Sequence, residues 1–168
     1  MKLIEQVRSL SESLYEEIKA IRRHLHSNPE ISYQEKETGK FTCNKLDEWG
    51  IEYKYPVADN GIVALVKGDG EGPVRALRAD IDALPIQEEN DVPYKSKNAG
   101  IMHACGHDVH TASAMGAIKI LQQTKSEWGG VVKVLFQPAE EKLPGGASIM
   151  IKEGALENPK PEFIIGQH

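Results

Sequence analysis

The spacing of apolar residues predicts two helices in the first third of the chain. Apolar side chains recur at intervals of three and four residues, as on one face of a helix, at Val7, Leu10, Leu14, Ile18, Ile21 and Leu25. We expect this amphipathic helix to end before "SNPE" and to serve packing. A second helix is predicted over "SYQEKETGKFTCNKLDEW", with Gly50 as its stop signal.

The pattern then changes to strands. Apolar and charged residues alternate in "IEYKY", as in a half-buried strand, and "IVALV" and "VRALRAD" predict two more. The glycines and proline of "KGDGEGP" between those two predict a hairpin loop. A helix around Val109, the strand "VVKVLF", a short helix "ASIMIKEGAL" and the strand "EFIIG" follow. This order predicts an α/β fold, with a mixed, largely parallel sheet and helices on both faces.

Length, charge and cysteine content limit the partners and the cellular location that we expect. The chain has 168 residues and a formal charge of -5, with no basic stripe, so we expect neither nucleic acid nor membrane as a partner. The segment "MKLIEQVRSLSESL" lacks the apolar core of a signal peptide, which favours a cytoplasmic location. Cys43 and Cys105 could form one disulfide, but a reducing compartment favours two free thiols, with Cys43 an ordinary small residue of the second helix.

Candidate chemistry falls where predicted strands end, because an open α/β sheet leaves its crevice there. Asp80 and Asp82 follow one strand and, two positions apart, are predicted to face the same side. Glu140 and Glu141 follow another, between Pro138 and "PGG". The alternatives are that one aspartate caps a turn before the next proline, and that the glutamates lie in a solvated loop.

The stretch "HACGHDVH" places a cysteine and three histidines before a predicted helix. Cys105 and His107 can face one ion because Gly106 permits a turn between them. The alternative is a buried structural cysteine beside a helix-capping histidine. The nearby carboxylates favour a catalytic metal site with mixed donors. His103 and His110 flank the pair, either orienting ligands, facing substrate or having no role.

Two neighbouring glutamates can divide the work, one binding metal while the other moves a proton. A different class of function is also open: Cys105, near a helix N-terminus and histidines that would lower its pKa, can be a reactive thiol in a metal-binding or redox-sensing module. A ligand thiolate resists alkylation until a chelator removes the ion, whereas a sensor thiol reacts in either case.

At these residues the sequence resembles a known family. The segments "RRHLHSNPE", "LRADIDALPI", "GIMHACGHDVHTA", "LFQPAEE", "GGA" and "IIGQH" resemble, in the same order, the dinuclear metal-dependent aminoacylase and carboxypeptidase family. Within this family it resembles the amidohydrolase branch, which contains hippurate hydrolases, auxin-conjugate hydrolases and N-acyl-amino-acid deacetylases. The resemblance implies hydrolysis of the amide bond of a small N-acyl amino acid or related conjugate.

The resemblance also implies the roles of individual residues. It makes Cys105, His107, Glu141 and His168 metal ligands and Glu140 the general base and acid. Asp82 matches the aspartate that orients a ligand, and Asp80 takes the place where other branches carry a metal-binding histidine, which leaves its role open. The implied cofactor is a pair of divalent ions, manganese or zinc, with cobalt and nickel as alternatives.

In this family the catalytic domain continues past the "GQH" strand, is interrupted by a smaller lid or dimerisation domain, and ends with another ligand histidine. The resemblance therefore implies that residues 1–168 are the N-terminal portion of the catalytic metal-binding domain. We expect such a chain to hold one ion well at best, to hydrolyse amides poorly, and to associate with itself through uncovered strands around "VVKVLF" and "EFIIG". An inactive fragment that works only with a partner chain is the remaining alternative.

Overall fold

Four α-helices and five β-strands form the fold in the computed structural model, which describes residues 2–168. The helices are α1 (Leu3–Ser27), α2 (Lys36–Glu48), α3 (His107–Gln123) and α4 (Gly146–Lys152). The strands are β1 (Glu52–Val57), β2 (Gly61–Lys67), β3 (Gly70–Asp80), β4 (Gly129–Gln137) and β5 (Ile164–Gly166). No helix in this described part of the chain is long and apolar enough to cross a membrane.

The strands form one sheet in the order β1-β2-β4-β3-β5. The first two pairs, β1 with β2 and β2 with β4, are antiparallel, whereas β4, β3 and β5 run parallel to one another. The predicted mixed α/β sheet is therefore confirmed. Its parallel part is the half that carries the candidate chemistry, because the carboxyl ends of parallel strands meet at one edge.

Helices cover both faces of the sheet, as predicted. On one face, α1, α2 and α3 enclose the larger apolar core, to which β2 and β4 contribute alternate residues such as Ile62, Ala64, Val134 and Phe136. On the other face a smaller cluster joins Val63 and Leu135 to Met150 of α4. The two-residue alternation along each strand separates these two cores.

The predicted hairpin between β2 and β3 is wrong. The two strands do not pair, because β4 lies between them and bonds to both. The glycines of this stretch serve close packing: a Cβ on Gly72 would lie 2.7 Å from the backbone of Gly129, where β4 enters the sheet. The glycines predicted a tight turn, whereas in the structure they allow two backbone segments to approach closely.

The second helix begins later than predicted. Residues 32–35 lie outside α2, since Ile31 forms an isolated bridge with Ala83 and Tyr33 has a φ of 68°. The expectation of an uncovered apolar face around "VVKVLF" is wrong as well, since β4 is paired on both sides and Phe136 is fully buried. Around "EFIIG" the expectation is confirmed, because Ile164 and Ile165 are exposed on the edge strand β5.

Candidate active site

The candidate residues meet where β3 and β4 end beside the start of α3. Asp80, the last residue of β3, is in register with Gln137, the last residue of β4, so the acidic segments after both strands begin side by side. Gly106 precedes α3 with a φ of 86°, a conformation that glycine adopts without steric cost. The turn there brings Cys105 and His107 to the same edge of the sheet.

His107 occupies the centre of this site. Its ring is 1% exposed, and its Nδ1 donates to the carbonyl of Asp82 at 2.9 Å and to Oδ1 of the same residue at 3.2 Å. Burial lowers the pKa of His107, but Asp82 and Asp80 outweigh it and raise the pKa. Nε2 is also buried and has no hydrogen-bond partner among the described residues. Nε2 is therefore the ring nitrogen available to bind an ion in the crevice.

Three carboxylates surround that nitrogen. Oδ2 of Asp80 lies 3.6 Å from Nε2 of His107, and Oε1 of Glu141 and Oε2 of Glu140 lie at 3.7 and 3.8 Å. These distances are too long for hydrogen bonds. They suit atoms that share an ion, because two ligands each about 2.1 Å from one cation lie roughly 3 to 4 Å apart. Asp80 and Asp82 both lie beside the His107 ring, Asp80 near Nε2 and Asp82 at Nδ1.

Cys105 and His168 complete the cluster. Nε2 of His168 lies 3.3 Å from Sγ of Cys105, and its Nδ1 lies 3.5 Å from Oδ2 of Asp80. Two groups of donor atoms lie within 4.8 Å of one another: Cys105, His107 and His168, and Asp80, His107, Glu140 and His168. Glu141 belongs to neither group, although it faces the same histidine nitrogen. The donor set and the unpartnered Nε2 fit a divalent cation.

The thiol of Cys105 is exposed and free, which contradicts the alternative of a buried structural cysteine. Its pKa is raised, first by desolvation and then by Glu141, Glu140 and Asp80. The redox-sensor hypothesis required a lowered pKa, whereas desolvation and these carboxylates raise the pKa of this thiol. A cation among the same carboxylates would reverse the balance and favour the thiolate.

Asp80 is fixed by neighbours on both sides. One oxygen faces Nδ1 of His110 at 2.7 Å, and the other accepts from Arg78 at 2.5 Å. Arg78 in turn donates to the side chain of Gln137 at 2.8 Å. His110 therefore touches the site through Asp80, whereas Arg78 is a participant that the strand pattern did not single out.

Asp82 links three segments of the chain. In addition to His107, it accepts from the hydroxyl of Ser32 at 2.6 Å and from the backbone N–H of Glu141 at 3.0 Å. Burial raises its pKa, but these hydrogen bonds outweigh burial and lower the pKa to about 2. Asp82 thus binds the glutamate loop, and the alternative that it caps a turn before the next proline is wrong.

His103 lies apart from both donor groups. It is 4% exposed, and neither ring nitrogen has a hydrogen-bond partner among the described residues. Burial lowers its pKa to about 4, so the neutral ring is favoured. The nearest charged groups include Asp108, which His26 holds at 2.7 Å.

Sequence reasoning missed the segment that supports the glutamate loop. Ser32, Tyr33 and Glu35 all contact the loop or its anchor Asp82. The only signal was their position in "NPEISYQEK", where polar residues interrupt the helical pattern before α2. Nothing in that spacing points to a loop more than 100 residues away in sequence.

Comparison with known proteins identifies the family of this chain. A family model for peptidase family M20/M25/M40 matches residues 76–168, which is more than half of the chain and includes every candidate ligand. The chain belongs to this family. The family assignment confirms the resemblance drawn from the sequence motifs, and the matched region begins within β3 and runs through the "GQH" segment.

Relatives within the M20 family carry amidohydrolase names. The chain is 48% identical over 167 residues to the IAA-amino acid hydrolase ILR1-like 2 of Arabidopsis thaliana, covering 99% of this chain and 37% of the relative. It is 42% identical to an N-acyl-L-amino acid amidohydrolase of Geobacillus stearothermophilus, covering 98% of this chain and 44% of the relative.

A solved structure extends the comparison to the fold. A dinuclear metal-binding M20 peptidase of Bacillus subtilis superimposes with a TM-score of 0.87 at 44% identity, over 94% of this chain and 43% of that one. The chain therefore spans about two fifths of the length of the relatives it matches.

Proposed function

We propose that this chain supplies the metal-binding part of an amidohydrolase that cleaves small N-acyl amino acids or related conjugates. The observation that supports this proposal best is Nε2 of His107, which is buried, has no hydrogen-bond partner within residues 2–168, and is faced by the carboxylates of Asp80, Glu140 and Glu141. The names of the M20 relatives support the substrate class. We assign no nucleic acid or membrane partner to this function.

The proposed ligands are Cys105, His107, Glu141 and His168. When bound, a pair of divalent ions supplies Lewis-acid polarisation of an amide carbonyl and makes water a stronger nucleophile at neutral pH. Asp82 keeps the proton on Nδ1 of His107, so that Nε2 stays free to bind. Asp80, held between Arg78 and His110, is proposed to orient the site.

Glu140 is the proposed proton carrier. Its Oε2 lies 3.8 Å from Nε2 of His107, at the mouth of the same cluster, and its side chain is partly exposed. A carboxylate there can accept a proton from the attacking water and deliver it to the leaving nitrogen of the amide. Of the two glutamates, only Glu140 belongs to a donor group. The division of roles between Glu140 and Glu141 therefore needs a test.

We propose manganese or zinc as the ions, with cobalt or nickel as substitutes. The thiolate of Cys105 favours the softer zinc, and the carboxylates suit manganese. The support for a pair is the dinuclear centre named for the Bacillus subtilis relative. Cytoplasmic location is part of the proposal, because Cys43 and Cys105 are both free thiols, as in a reducing compartment.

We further propose that residues 1–168 act as a portion of a larger catalytic unit, since the relatives are more than twice as long. The four proposed protein ligands are too few to hold two ions firmly. By itself this portion should therefore hold one ion well and hydrolyse amides slowly, and it can form homo-oligomers.

Elemental analysis and a hydrolysis assay with a panel of N-acyl amino acids test the proposal on the purified chain. We expect about one tightly held ion and slow hydrolysis, with faster hydrolysis in a longer protein that contains these residues. Two tight ions with rapid turnover would contradict the partial-unit proposal. The absence of both metal binding and hydrolysis in the longer protein would contradict the function itself.

A further inference from the structure

The backbone just before the two glutamates has an unusual conformation. Ala139 has a φ of 48°, in the left-handed region that residues with a Cβ seldom adopt. Its side chain is fully buried, and Glu140 is the next residue. Because the backbone at Ala139 sets the direction of the chain into Glu140 and Glu141, whatever holds Ala139 also aims these side chains.

A buried carboxylate holds the backbone of Ala139 in this conformation. Glu35, immediately before α2, is fully buried, and its Oε1 accepts a hydrogen bond from the backbone N–H of Ala139 at 2.7 Å. The other oxygen accepts from the side-chain amide of Asn60 at 3.1 Å. Burial raises the pKa of Glu35, with backbone hydrogen bonds acting against it. A carboxylate is costly to bury, so this one needs both donors.

The segment around Glu35 contacts the glutamate loop at further points. The hydroxyl of Ser32 donates to Asp82, which accepts from the N–H of Glu141. The hydroxyl of Tyr33 accepts from the N–H of Gly145 at 3.1 Å. Residues 32–35 therefore hold the loop directly at Ala139 and Gly145, and through Asp82 at Glu141.

We propose that Glu35 is a positioning residue: by holding Ala139 in the left-handed conformation, it directs Glu140 and Glu141 at Nε2 of His107. The proposal rests on the function proposed above for those two glutamates. Glu35 itself touches neither substrate nor ion and acts only through the backbone of the loop. Its removal should loosen the loop and weaken metal binding more than it weakens the fold.

The chain offers a matched control. Oε2 of Glu153, at the end of α4, accepts from the backbone N–H of Ala58 at 2.8 Å. Ala58 is likewise buried and has a φ of 50°. The contact therefore joins the same two groups as that between Glu35 and Ala139, although Glu153 is exposed and Glu35 is buried, and it stabilises the turn after β1 rather than the glutamate loop.

The experiment compares Glu35→Gln with Glu153→Gln in the full chain. Cobalt(II) is titrated by calorimetry and by visible absorption, whose bands report the ligand geometry. Amide hydrogen exchange of residues 139–146 is measured without metal. We expect Glu35→Gln to weaken cobalt binding about 10-fold or more, to change the absorption bands and to speed exchange in the loop. Glu153→Gln should leave all three readouts at the wild-type level.

A glycine at position 139 tests the mechanism, because glycine adopts a positive φ without strain. In the Ala139→Gly background, Glu35→Gln should have a smaller effect on cobalt affinity and loop exchange than in the wild type. If Glu35→Gln alone fails to fold, the double variant is compared with Ala139→Gly, and we expect weaker cobalt binding and faster exchange in the double variant.

Two results would overturn the proposal. One is wild-type cobalt affinity, spectrum and loop exchange in Glu35→Gln, and the other is an equal loss in Glu153→Gln. If the wild-type chain binds no cobalt, the proposed function fails at that point, and metal-free exchange decides the role of Glu35 separately. Faster exchange at residues 139–146 in Glu35→Gln alone supports it, and unchanged exchange refutes it.

Discussion

Oδ1 of Asp82 lies 3.2 Å from Nδ1 of His107, and Nε2 of the same ring is buried with no hydrogen-bond partner in the part of the chain that the structure describes. A neutral imidazole has one protonated and one unprotonated nitrogen, so the aspartate determines which of them is available. The pair therefore prepares the nitrogen that faces three carboxylates before any ion arrives. Metal-binding histidines usually donate a hydrogen bond from the ring nitrogen that does not bind the ion.

Replacing Asp82 by asparagine should weaken metal binding. The asparagine side chain is neutral, so its oxygen is a weaker acceptor for the N–H of His107 than the carboxylate is. Its NH2 group is a donor and cannot accept from the backbone N–H of Glu141. We expect zinc or manganese affinity to fall about 10- to 100-fold by calorimetry. Asp47→Asn on the exposed side of α2 is the control, and equal affinity in both variants would refute the orienting role.

The two adjacent glutamates should separate by phenotype. Glu141→Gln should lower metal content, whereas Glu140→Gln should leave it near the wild-type level, as measured by elemental analysis of the dialysed chain. In a longer protein with measurable hydrolysis, Glu140→Gln should reduce kcat by about 100-fold or more for want of a proton carrier. The opposite pattern would exchange the two roles and make Glu140, which belongs to one of the two donor groups, the ligand.

The parts that the sequence predicted are those with local signals. The periodicity of α1 and the alternation in the strands rest on neighbouring residues, and the site motifs lie directly at strand ends. The hairpin between β2 and β3 failed because local composition cannot show that β4 inserts between them. Glu35 was missed for the same reason, since its partner Ala139 is distant in sequence.

Alkylation of Cys105 distinguishes a metal site from a thiol sensor. With zinc bound, iodoacetamide should modify this thiol slowly, and a chelator should restore the rate, because a coordinated thiolate is shielded. The contrast between the two rates should be largest at alkaline pH, where the metal-free thiol ionises, since desolvation and the nearby carboxylates raise the pKa of Cys105. The readout is mass spectrometry of the Cys105 peptide, with buried Cys43 as the internal reference. Equal rates with and without chelator would favour the sensor.

Glu88 should contribute to stability in a pH-dependent way. Burial raises the pKa of this carboxyl, but the N–H of Ser96, His26 and Asn90 outweigh burial and lower the pKa from 4.5 to about 2. A lowered folded-state pKa stabilises the fold above pH 4.5, and the contribution is lost as the pH falls from there towards 2.

Urea unfolding at several pH values tests this effect. The wild type should be more stable than Glu88→Gln above pH 4.5, and the difference should shrink as the pH falls towards 2. Glu89→Gln, at the exposed neighbouring position, should follow the wild type. A difference between wild type and Glu88→Gln that does not vary with pH would show that the ionised carboxylate is unimportant.

The chain should associate with itself through β5. This strand is at the edge of the sheet among the described residues, and Ile165 on it is 57% exposed. Exposed edge strands offer unpaired backbone groups to another chain. Size-exclusion chromatography with light scattering should show species larger than 18.6 kDa that dissociate on dilution.

A charge on the edge strand should prevent this association. Ile165→Lys is expected to yield the monomer, because lysine on an edge strand opposes pairing. Ile4→Lys on α1 is the matched control, since Ile4 is also 57% exposed. A monomeric wild type, or equal dissociation in the two variants, would show that β5 is not the contact.

The insertion of β4 between β2 and β3 also determines the order in which the molecule can assemble. As the chain leaves the ribosome, β2 and β3 emerge together, while residues 81–128 still separate them from the strand that must pair with both. A premature β2–β3 hairpin would have to open before β4 entered. Asp80 acquires its neighbour Gln137 only at that step. A nascent chain stopped before β4 therefore has neither the central strand of the sheet nor the crevice for an ion.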